Sequence, residues 1–338
     1  MSRARPVLLA ALAAPAAAVL ALSGCAVGPP DETRTAAEYP DRNLTILAPG
    51  STGGGWDTRA RSIGAALTDC GLIDRSVTVR NTPGAGGTIG LAQFSSNTGD
   101  PHELMVMDTI TMLGGIVGNH SPVSLDDVTP IAGLTVSSSV VVVPADSPYR
   151  SLEELNEGFR ADPRGTSWVG GSLGGPDHIL VGLLAMELGI PVDQLNYVAT
   201  GGGGEVLNLL VSGTATAAVS TLVEVRPQIE AGELRALAAG GDPATAAEIG
   251  VPTLDELGLG HIDVASVGGV MAPAGISEPE REAVIGLMGR MRETPCWQES
   301  LRRNDWADEW LPGEEFAALI EEHERNVTEL LTELGLAQ

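Results

Sequence analysis

Four glycine-rich stretches hold the residues best suited to chemistry. They are Ser51-Thr52-Gly53-Gly54-Gly55-Trp56-Asp57, Asn81-Thr82-Pro83-Gly84-Ala85-Gly86-Gly87-Thr88, Gly170 to His178, and Thr200-Gly201-Gly202-Gly203-Gly204. Each follows a strand-like run and precedes a helix-like one. Glycine lets the backbone approach a ligand closely. The helix start behind it presents N–H groups with no intrahelical partner and the positive end of the helix dipole. Four such loops predict an anion site built from main-chain donors. Taken singly, each also reads as a tight turn between strand and helix. Uncharged amides reconcile anion binding with a formal charge of −25, which disfavours nucleic acid and anionic membrane surfaces as partners.

The same residues admit other chemistries. Gly170-Gly171-Ser172-Leu173-Gly174 fits G-x-S-x-G between a strand and a helix, the setting of a serine hydrolase with Ser172 as nucleophile. His261 and His323 lie downstream, but acidic residues are so common that a triad order carries little weight. His323 within Glu321-Glu322-His323-Glu324 reads as a solvated helix face. The run from Gly84 departs from a dinucleotide fingerprint, because Ile89 stands where G-x-G-x-x-G needs its last glycine. The five histidines show no metal-ligand spacing. All 19 basic residues are arginine, so chemistry needing a lysine amine is excluded. The reading is a non-enzyme with no cofactor and no metal.

The loops must be positioned by α/β layers. Short apolar strands at Leu44 to Ala48, Val77 to Val79 and Glu103 to Asp108 alternate with helices, which predicts a parallel sheet. Ser139 to Val143 reads as a fully buried strand. A second set of alternations follows, nested inside the first. The fold class is therefore α/β with two lobes, each a mostly parallel sheet flanked by helices, the cleft between them. Residues 44–142 with 262–338 form lobe I and residues 143–261 form lobe II.

The N-terminus reads as a targeting segment. Arg3 and Arg5 precede the apolar run Val7 to Leu22, and Leu22-Ser23-Gly24-Cys25 ends it. That ending resembles the lipobox of bacterial lipoproteins, which implies a signal peptide over 1–24 and a lipid on Cys25. Residues 25–42 read as a flexible tether. Cys70 and Cys296 remain, and in an exported chain they are expected to pair, the alternative being two buried thiols.

The glycine loops also carry a resemblance. Gly53-Gly54-Gly55-Trp56-Asp57 with Arg61, Asn81 to Gly90, Ala231 to Ala238, Val251 to Gly258 and Ala272-Pro273-Ala274-Gly275 resemble motifs of the tripartite tricarboxylate transporter solute receptors, the Bug proteins. The resemblance covers about residues 44–335. It implies a Venus-flytrap, periplasmic-binding-protein fold and extracytoplasmic capture of a small organic carboxylate, a citrate-like tricarboxylate or a dicarboxylate. Delivery would be to a large and a small integral membrane subunit, by a monomeric receptor held at the membrane by its lipid. It assigns Thr52, Gly53, Gly54, Gly55, Trp56, Asp57, Asn81, Gly84, Ala85 and Gly86 to the ligand in lobe I. In lobe II it assigns Ser172, Gly174, His178, Tyr197, Thr200 and Gly201; Thr109 and Thr221 complete the set. Two readings stay open for Trp56, ligand contact or packing under its loop, and two for His178, ligand contact or capping support. The family's "PYkG" is here Asn196-Tyr197-Val198-Ala199-Thr200-Gly201, and its "GqvD" is Gly213-Thr214-Ala215-Thr216 without an aspartate, so the distal ligand group differs from the usual one. A ligand-sensing ectodomain is the remaining alternative to transport.

Overall fold

In the first sheet, period-two alternation sets the layers: Leu44, Ile46 and Ala48 face one core while Leu47 faces another. The structure, a computed structural model, describes residues 39–200, 203–262 and 265–335. The signal peptide, Cys25, most of the tether and Gly201 lie outside these residues.

The chain first builds β1 (Leu44–Ala48), α1 (Gly55–Asp69), β2 (Val77–Asn81), α2 (Thr88–Ser95), β3 (Glu103–Asp108), α3 (Thr109–Gly118) and β4 (Val128–Ser137). It then builds β5 (Ser139–Pro144), α4 (Leu152–Ala161), β6 (Ser167–Gly170), α5 (Pro176–Glu187) and β7 (Asn196–Ala199). These are followed by α6 (Gly203–Val211), β8 (Ala217–Thr221), α7 (Leu222–Glu230), β9 (Leu234–Ala239) and α8 (Pro243–Ile249). It returns through β10 (Ser266–Pro273), α9 (Glu278–Arg292), α10 (Pro295–Arg303), β11 (Trp306–Pro312) and α11 (Glu314–Glu333). One sheet has the order β11-β4-β10-β3-β1-β2 and the other β7-β6-β8-β5-β9. This is the two-lobed α/β fold.

Both sheets are mixed. β1 pairs in parallel with β2 and β3, and β6 with β7 and β8. The expected parallel strands are joined by antiparallel ones: β10 lies against β3 and β4, and β5 against β8 and β9. The mixture follows from chain paths that enter and leave each lobe at the crossings.

Two boundaries shift. Val140, Val141 and Val142, which the sequence reading gives to lobe I, pair in the second sheet, so the first crossing falls at Ser138. β5 is an interior strand there, and helices on both faces bury its valines, as its unbroken β-branched run requires. The tether is also shorter than 25–42. Tyr39 donates a hydrogen bond to the Pro101 carbonyl at 2.7 Å, its ring lies 5.2 Å from that of His102, and Arg42 pairs with Asp100. An aromatic ring with a partnered hydroxyl anchors this segment to the body.

The lobes also touch away from the crossings. Leu334, just beyond α11, packs against Gly182 of α5, and the backbone of Gly114 in α3 lies against Gly174. Arg226 of α7 pairs with Asp305 of the first lobe. Within lobe I, a disulfide joins Cys70 at the end of α1 to Cys296 in α10, with Cα atoms 6.0 Å apart.

Candidate functional site

The two glycine loops that open α1 and α5 share one backbone design. Gly54 and Gly175 are the N-caps, at φ/ψ of −80°/173° and −78°/172°, and neither helix has a side-chain cap. The Gly54 N–H donates to the Ser51 carbonyl at 3.1 Å, and that of Gly175 to the Ser172 carbonyl at 3.0 Å. The preceding glycines, Gly53 and Gly174, have φ of +83° and +75°, a left-handed conformation that side chains resist. First-turn N–H groups then point out of each helix with no partner up the chain.

Each loop is braced from behind by the residue four positions on. Asp57 Oδ2 accepts from Gly53 N at 2.8 Å, and His178 Nδ1 accepts from Gly174 N at 3.0 Å. Burial alone would raise the Asp57 carboxyl, but hydrogen bonds from Arg61, Gly53 and Asn81 hold it below the usual range. Burial pushes His178 down to about 4, so the ring is neutral and its bare Nδ1 is free to accept. Tyr197 holds that ring from 4.4 Å away and donates its own hydroxyl to the Gly171 carbonyl at 3.0 Å.

The loops face a common cleft with two connected compartments. The outer one, about 430 Å³, is lined by Gly54, Gly55 and Trp56, by Gly84 to Gly87, and across the gap by Ser172, Pro176 and Thr200. The inner one, about 320 Å³, lies over the crossing at Ser137 to Ser139 and is lined by Arg59, Asp108, Asp177, Thr221, Glu224 and Trp306 among others. Gly55, Asp108, Thr111, Pro176 and Asp177 border both.

Of the residues assigned from sequence, Gly53, Gly54, Gly55, Trp56, Gly84, Ala85, Gly86, Ser172, Thr200 and Thr221 come together on the cleft wall. Others stand behind it. Asp57, His178 and Tyr197 brace the loops as described, and Asn81 donates to the Gly50 carbonyl at 3.1 Å. Gly174 lies against Gly114. Thr109 is buried, accepting from Val267 N at 3.1 Å with His323 Nδ1 at 2.9 Å from its hydroxyl. Thr52 is exposed outside both compartments. Trp56 borders the outer compartment and also lies under its loops, its ring against Gly50 and Gly87. His323 is half-buried rather than solvated, because its helix packs on α3. His261 meets Glu187 at 3.1 Å, and no hydrogen bond joins Ser172 to a histidine among the described residues.

Arg59, Asp108 and Glu224 are among the cleft residues that the sequence reading does not assign, while Asp177 falls inside the assigned loop stretch. Burial, with Glu224 nearby, pushes the Asp177 carboxyl up to about 7 against the opposing hydrogen bond from Gly171 N. Arg59 carried a signal. It falls on the same helix face as Ile63 and Leu67, an arginine where the apolar stripe requires a hydrophobe.

Residues 64–336 match the sequence profile of the tripartite tricarboxylate transporter family receptor. The chain belongs to this family. It is 27% identical over 305 residues to the UPF0065 protein in the gbd 5′ region of Cupriavidus necator, covering 89% of this chain and 90% of that one. It is 28% identical over 255 residues to BugT of Bordetella pertussis, covering 75% and 76%. MatC of Rhodopseudomonas palustris, solved with bound malate, shares the fold at a TM-score of 0.74 and 22% identity, covering 87% of this chain and all of that one.

Proposed function

We propose that the protein is an extracytoplasmic solute receptor that captures a small organic carboxylate between its lobes and delivers it to the large and small membrane subunits of a tripartite transporter. The observation that carries this reading is the pair of matching, side-chain-free helix starts of α1 and α5 aimed into one cleft. Such starts bind anions with uncharged donors. Family membership supports the transport role, and a relative of the same fold solved with malate supports the ligand class. The ligand is a citrate-like tricarboxylate or a dicarboxylate, and a lipid on Cys25 holds the receptor at the membrane. Titration calorimetry with a panel of organic acids is expected to find a carboxylate that binds; a panel with no binder sinks the reading. Loss of uptake of that acid in a deletion strain separates transport from sensing.

A further inference from the structure

Helix α3 carries two adjacent glycines, Gly114 and Gly115, although glycine in a helix interior is destabilising relative to alanine. Both are buried. Consecutive helical residues point about 100° apart, so the pair presents two neighbouring faces. Each face takes one of the glycine loops. On one, a Cβ at Gly115 would lie 2.6 Å from the Gly86 carbonyl oxygen, and a Cβ at Gly86 would lie 2.8 Å from the Gly115 Cα. On the other, a Cβ at Gly114 would overlap the Gly174 carbonyl oxygen. Gly118 of the same helix is exposed, with open space around it.

The two contacts differ in kind. Gly86 shares its lobe with α3, and Asn119 at the end of that helix donates to the Ala85 carbonyl at 3.2 Å, so this loop is tied down. Gly174 belongs to the other lobe. Its N–H goes to His178 behind it, and no hydrogen bond ties it to α3 among the described residues. The lobes are joined at the crossing beside Ser138 and by the return into β10, the arrangement in which two lobes hinge around a cleft. Leu334 on Gly182, a neighbouring contact between the lobes, ends in a side chain that can adjust. Gly114 on Gly174 is main chain against main chain, and packed backbones do not compress. Directly after Gly174 come Gly175, Pro176 and Asp177 on the wall of the outer compartment, so where Gly174 halts, the start of α5 halts too.

We propose that the Gly114–Gly115 pair is the bearing that sets how far the cleft closes. Gly115 seats the first-lobe loop. Gly114 is the surface on which the second-lobe loop comes to rest, with the donors of α5 in range of a bound anion. This rests on the receptor reading above and goes beyond it, because the pair positions both loops without touching the ligand. A methyl group at position 114 must push Gly174 back by about 1 Å to restore ordinary van der Waals contact. Hydrogen bonds from the start of α5 to an anion do not survive a shift of that size.

The test is calorimetry on the full chain with succinate, glutarate, adipate, malate and citrate, paired with thermal denaturation of the free protein. Gly114→Ala is expected to weaken binding of every acid that the unaltered protein takes by about ten-fold or more. Its Tm is expected to stay the same or rise, because alanine favours the helix and open lobes leave room for the methyl group. Gly115→Ala is expected to lower the Tm, since Gly86 is fixed in the same lobe and cannot swing away. Gly118→Ala, on the same helix, is expected to bind within about two-fold of the unaltered protein. Unchanged affinity in Gly114→Ala overturns the proposal and leaves the receptor reading intact. A Tm that falls as far in Gly114→Ala as in Gly115→Ala also overturns it, since that marks permanent packing, and so does an equal loss of binding in Gly118→Ala. If the unaltered protein binds none of these acids, the receptor reading falls and the bearing falls with it.

Discussion

The two loops that open α1 and α5 have nearly the same backbone and opposite support. In lobe I the brace is an ionised aspartate tied to Arg61, and the helix it begins is fastened at its other end by the Cys70–Cys296 bond. In lobe II the brace is a neutral histidine leaning on a tyrosine, and α5 has no covalent tie. At the position before the brace, lobe I has Trp56, wedged under its loops, and lobe II has Asp177, pushed up to about 7. The helix-start donors facing the cleft are main chain in both lobes, so the anion recognition proposed for them does not depend on which side chain braces the loop. What differs is how firmly each loop is held, and lobe I is the more preformed half.

If so, the covalent tie is the sharpest point of attack. Replacing Cys70 and Cys296 by serine frees the end of α1 from α10 and is expected to cost about 2–5 kcal/mol. Thermal denaturation under non-reducing conditions reads this as a lower Tm. Alanine at comparably buried α5 positions should instead show only the loss of packing. An unchanged Tm in the double variant would remove the claim that lobe I is the stiffer half.

The braces themselves should differ in size of effect less than in its pH dependence. Asp57→Ala frees the N–H of exposed Gly53 together with Arg61, and His178→Ala orphans the N–H of buried Gly174; each should cost about 1–3 kcal/mol at neutral pH. Asp57 has a depressed pKa when folded. Its contribution is present above the ordinary value of 3.8 and disappears as pH falls through the lower folded value. His178 is also depressed, from 6.5 to about 4, so its contribution is present above 6.5 and fades between there and 4. Denaturation midpoints at pH 7.5 and pH 5 separate them: the penalty for His178→Ala shrinks at pH 5 and that for Asp57→Ala does not. Parallel behaviour would mean that the two braces are not the distinct devices their geometry implies.

The sequence revealed the loops because glycine runs between a strand and a helix have few other uses. It could not show which flanking side chains face the cleft. Asp57 and His178 sit within the motifs, yet their side chains turn back to the loop N–H groups, a choice made by helix phase and not by composition. Thr109, assigned to the ligand from sequence, is buried under His323, a contact between residues far apart in the chain. Ser139 to Val143 is legible as a buried strand, but its sheet is not, because the crossing at Ser138 leaves no break in the apolar pattern. Arg59 was the most readable of the missed residues. An arginine on the stripe of Ile63 and Leu67 signals a buried charge, and a buried charge needs a partner.

The smallest expected effect concerns Asp177, and its sign is opposite to that of the braces. Its carboxyl is raised from 3.8 to about 7, so folding penalises the ionised form. The stability tied to its protonation is complete below 3.8 and is lost as pH rises through 7. Asp177→Asn keeps an oxygen able to accept from Gly171 N while removing the charge that faces Glu224. The variant should match the unaltered protein near pH 4. Its advantage should grow up to about pH 7 and then level off, reaching a few degrees of Tm. No equivalent gain is available at Trp56, the uncharged residue at the matching position of lobe I. An Asp177→Asn protein that is destabilised at pH 8 would mean that a bound cation or an unseen donor neutralises Asp177, and the cleft would then be more evenly charged across its two lobes than the structure implies.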